Sequence, residues 1–190
     1  MSLNAALLTD CLGGAFGLSE LALSLRKRSR ADAARSDRGS LHVLWVVIVS
    51  AWVLAIFVAN LCPAGRFRVG LTLLAVALSL FAAGIALRWY AIIYLGRMFT
   101  VDVAIAADHR LIDSGPYRLI RHPSYAGALL AFLGLGLTLG SLPGLVALLI
   151  PTCAAYAYRI GVEEAALLRV FQDTYAGYAR RTRRLIPWLY

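Results

Sequence analysis

Three stretches of the chain carry no charged side chain: residues 41–62, 69–87 and 123–158. The first holds 22 residues. As a helix it spans about 33 Å, enough to cross the hydrocarbon core of a bilayer. His42 and Trp45 lie at the end expected to meet the interface. The second stretch has 19 residues and ends at Arg88-Trp89-Tyr90, an interfacial anchor pattern. The third runs for 36 positions and is interrupted by Gly140-Ser141-Leu142-Pro143-Gly144. That turn signal predicts a hairpin of two helices, each about 17 residues long. Gly127, Gly134, Gly136 and Gly140 are expected to permit close backbone approach in the first arm, and Pro151 predicts a kink in the second.

A weaker apolar segment covers residues 3–25, where Asp10 and Glu20 interrupt the pattern. Gly13-x-x-x-Gly17 gives it a small-residue face, and Glu20 is expected near the helix end, reaching toward water. Residues 26–40 read as a solvated basic loop, 63–68 as a short turn, and 96–122 as the longest polar connection. Beyond Tyr158 the pattern changes. Arg159, Glu163, Glu164, Arg169 and Asp173 alternate with Leu167, Leu168, Val170 and Phe171, which predicts a separate amphipathic helix docked at a surface. The tail from Arg180 to Tyr190 is basic, then aromatic.

These elements predict one all-α integral membrane domain over residues 1–190. Residues 1–95 would supply three N-terminal spans. Residues 96–190 would supply the polar loop, the hairpin and a cytoplasmic C-terminal amphipathic helix, making five transmembrane helices in all. Composition agrees: 61% of residues are hydrophobic and mean hydropathy is +0.73, too apolar for a soluble domain of this size. The net charge of +9 is unevenly placed. Of the 19 basic residues, only Arg66 and Arg68 fall on the side opposite the 26–38, 88–121 and 159–184 regions. The excess of positive charge on one side puts the N-terminus outside and the C-terminus in the cytoplasm. Membrane lipids, and no nucleic acid, are the partners this implies. The N-terminal segment lacks a basic region ahead of its apolar run and is expected to be retained. Cys11, Cys62 and Cys153 lie singly in separate segments and are expected to be small buried hydrophobes.

The chemistry-bearing residues concentrate in Gly115-Pro116-Tyr117-Arg118-Leu119-Ile120-Arg121-His122-Pro123-Ser124-Tyr125-Ala126-Gly127. A polar cluster at the edge of a membrane segment is a functional-site candidate. The hairpin should return Arg159 to Glu164 to the same side. No dinucleotide fingerprint, Walker loop or H-E-x-x-H is present, and Ser124 has no nucleophile-elbow setting. Read alone, Arg159 and Glu163 could be a simple i,i+4 pair, His122 a helix-entry residue before Pro123, and Tyr117 and Tyr125 interfacial aromatics.

Together these residues carry a resemblance. His109-Arg110-Leu111-Ile112, Gly115-Pro116-Tyr117, Arg121-His122-Pro123-Ser124-Tyr125-Ala126-Gly127, the uncharged hairpin, Arg159-x-x-x-Glu163-Glu164 and Phe171-x-x-x-Tyr175-x-x-Tyr178 resemble the isoprenylcysteine carboxyl methyltransferase family. The likeness covers roughly residues 95–188 and extends to the membrane phospholipid and small-thiol methyltransferases.

The resemblance implies an integral-membrane methyltransferase that uses S-adenosylmethionine. It implies that His109, Arg110, Leu111, Ile112, Tyr117, His122, Pro123, Ser124, Tyr125 and Glu163 surround the cofactor, and that Arg159 faces the acceptor. The acceptor would be a prenylated cysteine carboxylate reached from the bilayer. Where family members often carry Gln, this chain has Asp102. The physical chemistry is compatible. A carboxylate such as Glu163 accepts hydrogen bonds from hydroxyl or amino groups, aromatic and imidazole faces stack on a purine, and an arginine fork holds a carboxylate. Methylation of a phospholipid amine or a small thiol is the enzymatic alternative. A lipid-binding or transport protein that keeps the fold is the non-enzymatic one.

Overall fold

The computed structural model describes residues 3–26, 39–99, 110–187 and 189–190. The elements are α1 (Leu3–Arg26), α2 (Ser40–Leu61), α3 (Leu71–Leu95), α4 (Pro123–Thr138) and α5 (Leu142–Arg181), with single 3-10 turns at Gly96–Met98 and Gly115–Arg118. Among the described residues there is no strand, only two isolated bridges, Arg66 with Ser141 and Ile120 with Arg183. By length and composition α2, α5 and the α3 segment to Met98 can each cross a membrane; α4, at 16 residues, is shorter.

The pair α3–α4 is held at backbone contact. A methyl group built on Gly84 would lie 2.5 Å from the Gly127 carbonyl oxygen, and one built on Gly127 would lie 2.6 Å from the Gly84 oxygen. Only glycine at both positions lets the two backbones meet, as expected for helices associating in lipid. The pair α2–α5 uses alanine instead. Ala51, Ala55 and Ala59 are buried at four-residue spacing and face a stripe on α5 that includes Gly144, Leu148, Thr152, Ala155 and Arg159. The aromatic and aliphatic centre lies between these pairs, with Phe16 and Phe132 4.8 Å apart and Leu135, Leu148 and Tyr156 fully enclosed. At one end the loops knit together: Phe67 N–H donates to Gly140 O at 3.0 Å, and Leu142 N–H to Gly65 O at 3.0 Å.

Several expectations change. The hairpin turn is tighter than 140–144. Ser141 caps α5 by accepting from Gly144 N–H, and Pro143 sits within the first helical turn, where its missing N–H costs nothing. Helical angles continue through Pro151 and fail instead at Gln172, with φ 42 and ψ −119. No new helix begins at Arg159; the helix that starts at Leu142 runs through it to the break at Gln172. From Leu142 to that break the helix spans about 45 Å, so its polar part projects well past its apolar first part. The reason is that Arg159, the first charge after the apolar run, is buried against α2 and α4 and does not end the helix. Glu20 is not free in water and Arg88 is not an interfacial anchor: the two form a bidentate ion pair between α1 and α3. Gly13 and Gly17 face a cavity, with Trp52 against Gly13, and do not pack backbone to backbone. Cys11 and Cys153 lie exposed on their helices and Cys62 is half-buried, so none is core.

Candidate functional site

The loop leading into α4 is fixed by three unrelated elements. Gly115, at φ 57, lies flat against the Tyr94 ring, where a β-carbon would come within 2.4 Å of Cζ. Tyr94 also donates to Ser114 Oγ at 3.0 Å. The Gly115–Arg118 turn then buries Tyr117, whose hydroxyl donates to Ala91 O in α3, while Tyr178 donates to Tyr117 O at 2.7 Å. Burial, helped by the nearby Glu163 and Tyr125, pushes the Tyr117 phenol far above its ordinary value, so it stays protonated. The tail supplies the third support. Arg121 N–H donates to Arg183 O at 2.7 Å and His122 N–H to Arg184 O at 3.0 Å.

His122 is the N-cap residue of α4 and Pro123 its first helical residue, where the missing N–H costs nothing. The His122 ring stacks on Tyr125, with centroids 5.4 Å apart and planes 4° from parallel. The Tyr125 hydroxyl donates to Glu163 Oε2 at 2.8 Å and accepts from Arg159 Nε at 3.1 Å. Arg159 Nη1 donates to Ser40 Oγ at 2.7 Å. Tyr125 thus connects the arginine to the carboxylate.

The two neighbouring carboxylates of α5 have different surroundings. Glu164 Oε1 accepts from Arg121 Nε at 2.8 Å and lies 3.3 Å from His122 Nε2; its Oε2 accepts from Arg184 Nη2 at 2.8 Å. It is a structural clamp joining helix, loop and tail. Burial alone would raise its carboxyl, but hydrogen bonds from His122, Arg184 and Arg121 outweigh it and hold the group well below the usual carboxylate range. Glu163 has 31% of its side chain exposed against 13% for Glu164, and its Oε2 is 3.7 Å from His122 Nδ1. It keeps acceptor capacity that Glu164 has already used.

Beside this cluster lies a cavity of about 150 Å³ between α1, α2, α4 and α5. Its walls are mostly apolar, including Phe16, Trp45, Ile48, Trp52, Phe132 and Leu135, and its polar lining includes Glu20, Arg88, Tyr125, Tyr156 and Arg159. An apolar chain with a charged head matches that lining.

Of the residues singled out from sequence, Tyr117, His122, Pro123, Ser124, Tyr125, Arg159 and Glu163 come together. Ser124 takes part through its carbonyl, which accepts from Arg88 Nη1 at 3.2 Å. Arg110 is exposed, Leu111 and Ile112 are half-buried, and among the described residues none is hydrogen-bonded to the cluster. His109 and Asp102 lie outside the described residues. Tyr178 anchors the loop, and Arg181 forms only an exposed pair with Asp113 at 3.5 Å, of little energetic weight. Sequence reasoning missed Glu164's clamp, the Ser40 contact and the Glu20–Arg88 pair. A usable signal existed for the last: each is an isolated charge at the edge of an apolar run.

Comparison with known proteins adds to this geometry. Residues 72–174 match the family described as phospholipid methyltransferase. Protein-S-isoprenylcysteine O-methyltransferase B of Arabidopsis thaliana is 33% identical over 114 residues, covering 59% of this chain and 58% of the relative. The protein-S-isoprenylcysteine O-methyltransferase of Schizosaccharomyces pombe is 33% identical over 113 residues, covering 58% of this chain and 48% of its own. The solved structure of a eukaryotic intramembrane Ras methyltransferase, an isoprenylcysteine carboxyl methyltransferase, aligns with a TM-score of 0.59 at 28% identity, covering 76% of this chain and 52% of that one. In each case the chain spans less than two thirds of the other protein's length.

Proposed function

Because the chain belongs to the phospholipid methyltransferase family, we propose that it is a membrane methyltransferase using S-adenosylmethionine, with an acceptor carboxylate carried on an apolar chain of the isoprenylcysteine kind. The observation that carries this reading is the junction of the apolar cavity with Arg159, Tyr125 and Glu163. In the same reading α1 to α4 and the apolar first half of α5 lie in the bilayer, the loop and tail face the cytoplasm, and the acceptor arrives laterally from the membrane.

The donor set fits the cofactor. Glu163 offers a partly exposed carboxylate for hydroxyl or amino groups, and the stacked His122 and Tyr125 rings offer flat faces beside it. When bound, the cofactor supplies an electrophilic methyl group. The chain's own residues do the rest. Arg159, 3% exposed and braced by Tyr125 and Ser40, holds its guanidinium in one orientation, which suits its positive charge to align an acceptor carboxylate. A carboxylate acceptor is already ionised at neutral pH, since a terminal α-carboxyl ordinarily titrates near ~3.5. No side chain has to remove a proton. Alignment by Arg159 and exclusion of water by the apolar walls are what the site contributes.

The test is methyl transfer by the purified chain in lipid vesicles, with labelled donor and three acceptors: a prenylated cysteine, a phospholipid amine and a small thiol. Transfer to the prenylated cysteine alone is the expected result. Transfer only to the amine or thiol overturns the acceptor assignment, and no transfer to any, with no binding of S-adenosylhomocysteine, overturns the enzymatic one.

A further inference from the structure

Two buried side-chain polar atoms among the described residues have no hydrogen-bond partner, Thr152 Oγ1 and Tyr175 Oη. Thr152 lies within the α2–α5 packing stripe. Tyr175 is in a different setting. It follows the break at Gln172, in the last part of α5, and is 4% exposed. Its ring meets Tyr178 edge-on at 6.0 Å, and Tyr178 in turn donates to Tyr117 O. The charged groups close enough to act on it are Glu164, Arg121 and Glu163, which belong to the loop and helix framing the proposed site.

A buried hydroxyl without a partner is unfavourable, and native proteins rarely keep one without a reason. Phenylalanine would fill the same space without the unpaired oxygen. A backbone turned through a positive-φ residue, which is strained for glutamine, delivers this particular tyrosine. Its neighbours Tyr117 and Tyr178 both have partners for their hydroxyls, so the surroundings are not generally short of acceptors. The hydroxyl can donate and accept at once, which matches a ligand rich in hydroxyl, amino and carboxylate groups.

We propose that the Tyr175 hydroxyl is a cofactor-binding group, completing its hydrogen bonds on a polar atom of S-adenosylmethionine. This rests on the methyltransferase reading above and adds to it a residue that stands apart from Glu163.

The experiment compares the detergent-purified full chain with Tyr175→Phe, using calorimetric titration with S-adenosylhomocysteine and thermal unfolding with and without that ligand. The expected result is a Kd raised about 5- to 10-fold, as for loss of one hydrogen bond. The ligand-free protein should unfold at an equal or higher temperature, and the ligand should raise that temperature less than in the unaltered chain. An unchanged Kd, whatever happens to the ligand-free unfolding temperature, overturns the proposal. Should Tyr175→Phe fail to fold, 3-fluorotyrosine at position 175 keeps the hydroxyl. Its fluorine resonance should then move on addition of ligand, and a resonance unmoved at saturation overturns the proposal. If the unaltered chain bound no S-adenosylhomocysteine, the methyltransferase reading would fall and this proposal with it. If the unaltered chain and Tyr175→Phe bind equally, only this proposal falls.

Discussion

The Arg88 guanidinium grips the Glu20 carboxylate through Nε and Nη2, across 68 positions of sequence, and so ties α1 to α3. Both side chains are nearly enclosed, at 8% and 13% exposure. Removing one partner of such a pair leaves a buried charge uncompensated, at a cost of roughly 3–5 kcal/mol, whereas replacing both by apolar residues is often neutral. Arg88→Ala should therefore lower the unfolding temperature sharply, while the double change Glu20→Leu with Arg88→Leu should recover most of it. A double variant as unstable as the single would show that the pair does more than neutralise itself.

Glu163 and Arg159 meet the same tyrosine hydroxyl from opposite sides, yet they should fail differently. Glu163→Ala removes a charged acceptor worth about 1.5–3 kcal/mol, so S-adenosylhomocysteine affinity should fall roughly 10- to 100-fold. Arg159→Ala should leave that affinity within a few-fold and depress turnover instead. Titration and steady-state rates on the two variants check this, and equal behaviour would remove the division of labour.

Acid should weaken the fold through Glu164. Its folded-state carboxyl is held below the ordinary range, so the unfolded chain binds the proton more readily. The stabilisation is complete above the unfolded value near ~4.3 and is lost as pH falls below it toward the folded value. Unfolding temperatures measured between pH 5 and pH 3 should drop in the native chain. Glu164→Gln should be less stable at pH 7 and show a shallower drop.

The acceptor's chemistry should be visible in the rate as well. A carboxylate needs no base, so kcat should stay nearly flat above pH ~5. An amine acceptor must lose a proton and would give a rate rising with pH toward the pKa of a base. A profile of the second kind with the preferred acceptor would contradict the prenylcysteine assignment.

What could be read from sequence followed from the bilayer's demands. The runs 41–62 and 69–87 correspond to Ser40–Leu61 and Leu71–Leu95 within two residues at the N-terminal ends, because hydrocarbon tolerates neither charge nor an unpaired backbone. Charge meant less where its partner was remote. Glu20 and Arg88 look like boundary residues from their own segments, and only the fold brings them together. Glu163 and Glu164 are adjacent and chemically alike, but successive helical residues point about 100° apart. One therefore faces Tyr125 while the other faces Arg121 and Arg184. Arg159 looked like the start of a new helix for a related reason. Its burial depends on Ser40, 119 positions earlier.

The isolated bridge between Ile120 and Arg183 has a consequence for how the molecule is made. The helices α1 to α4 and the apolar part of α5 emerge from the ribosome well before residue 183. The amides of Arg121 and His122 gain their carbonyl partners only when Arg183 and Arg184 have been synthesised and folded back. The membrane helices can therefore pack against one another before the loop that carries Arg121 and His122 has been fixed at the entry to α4.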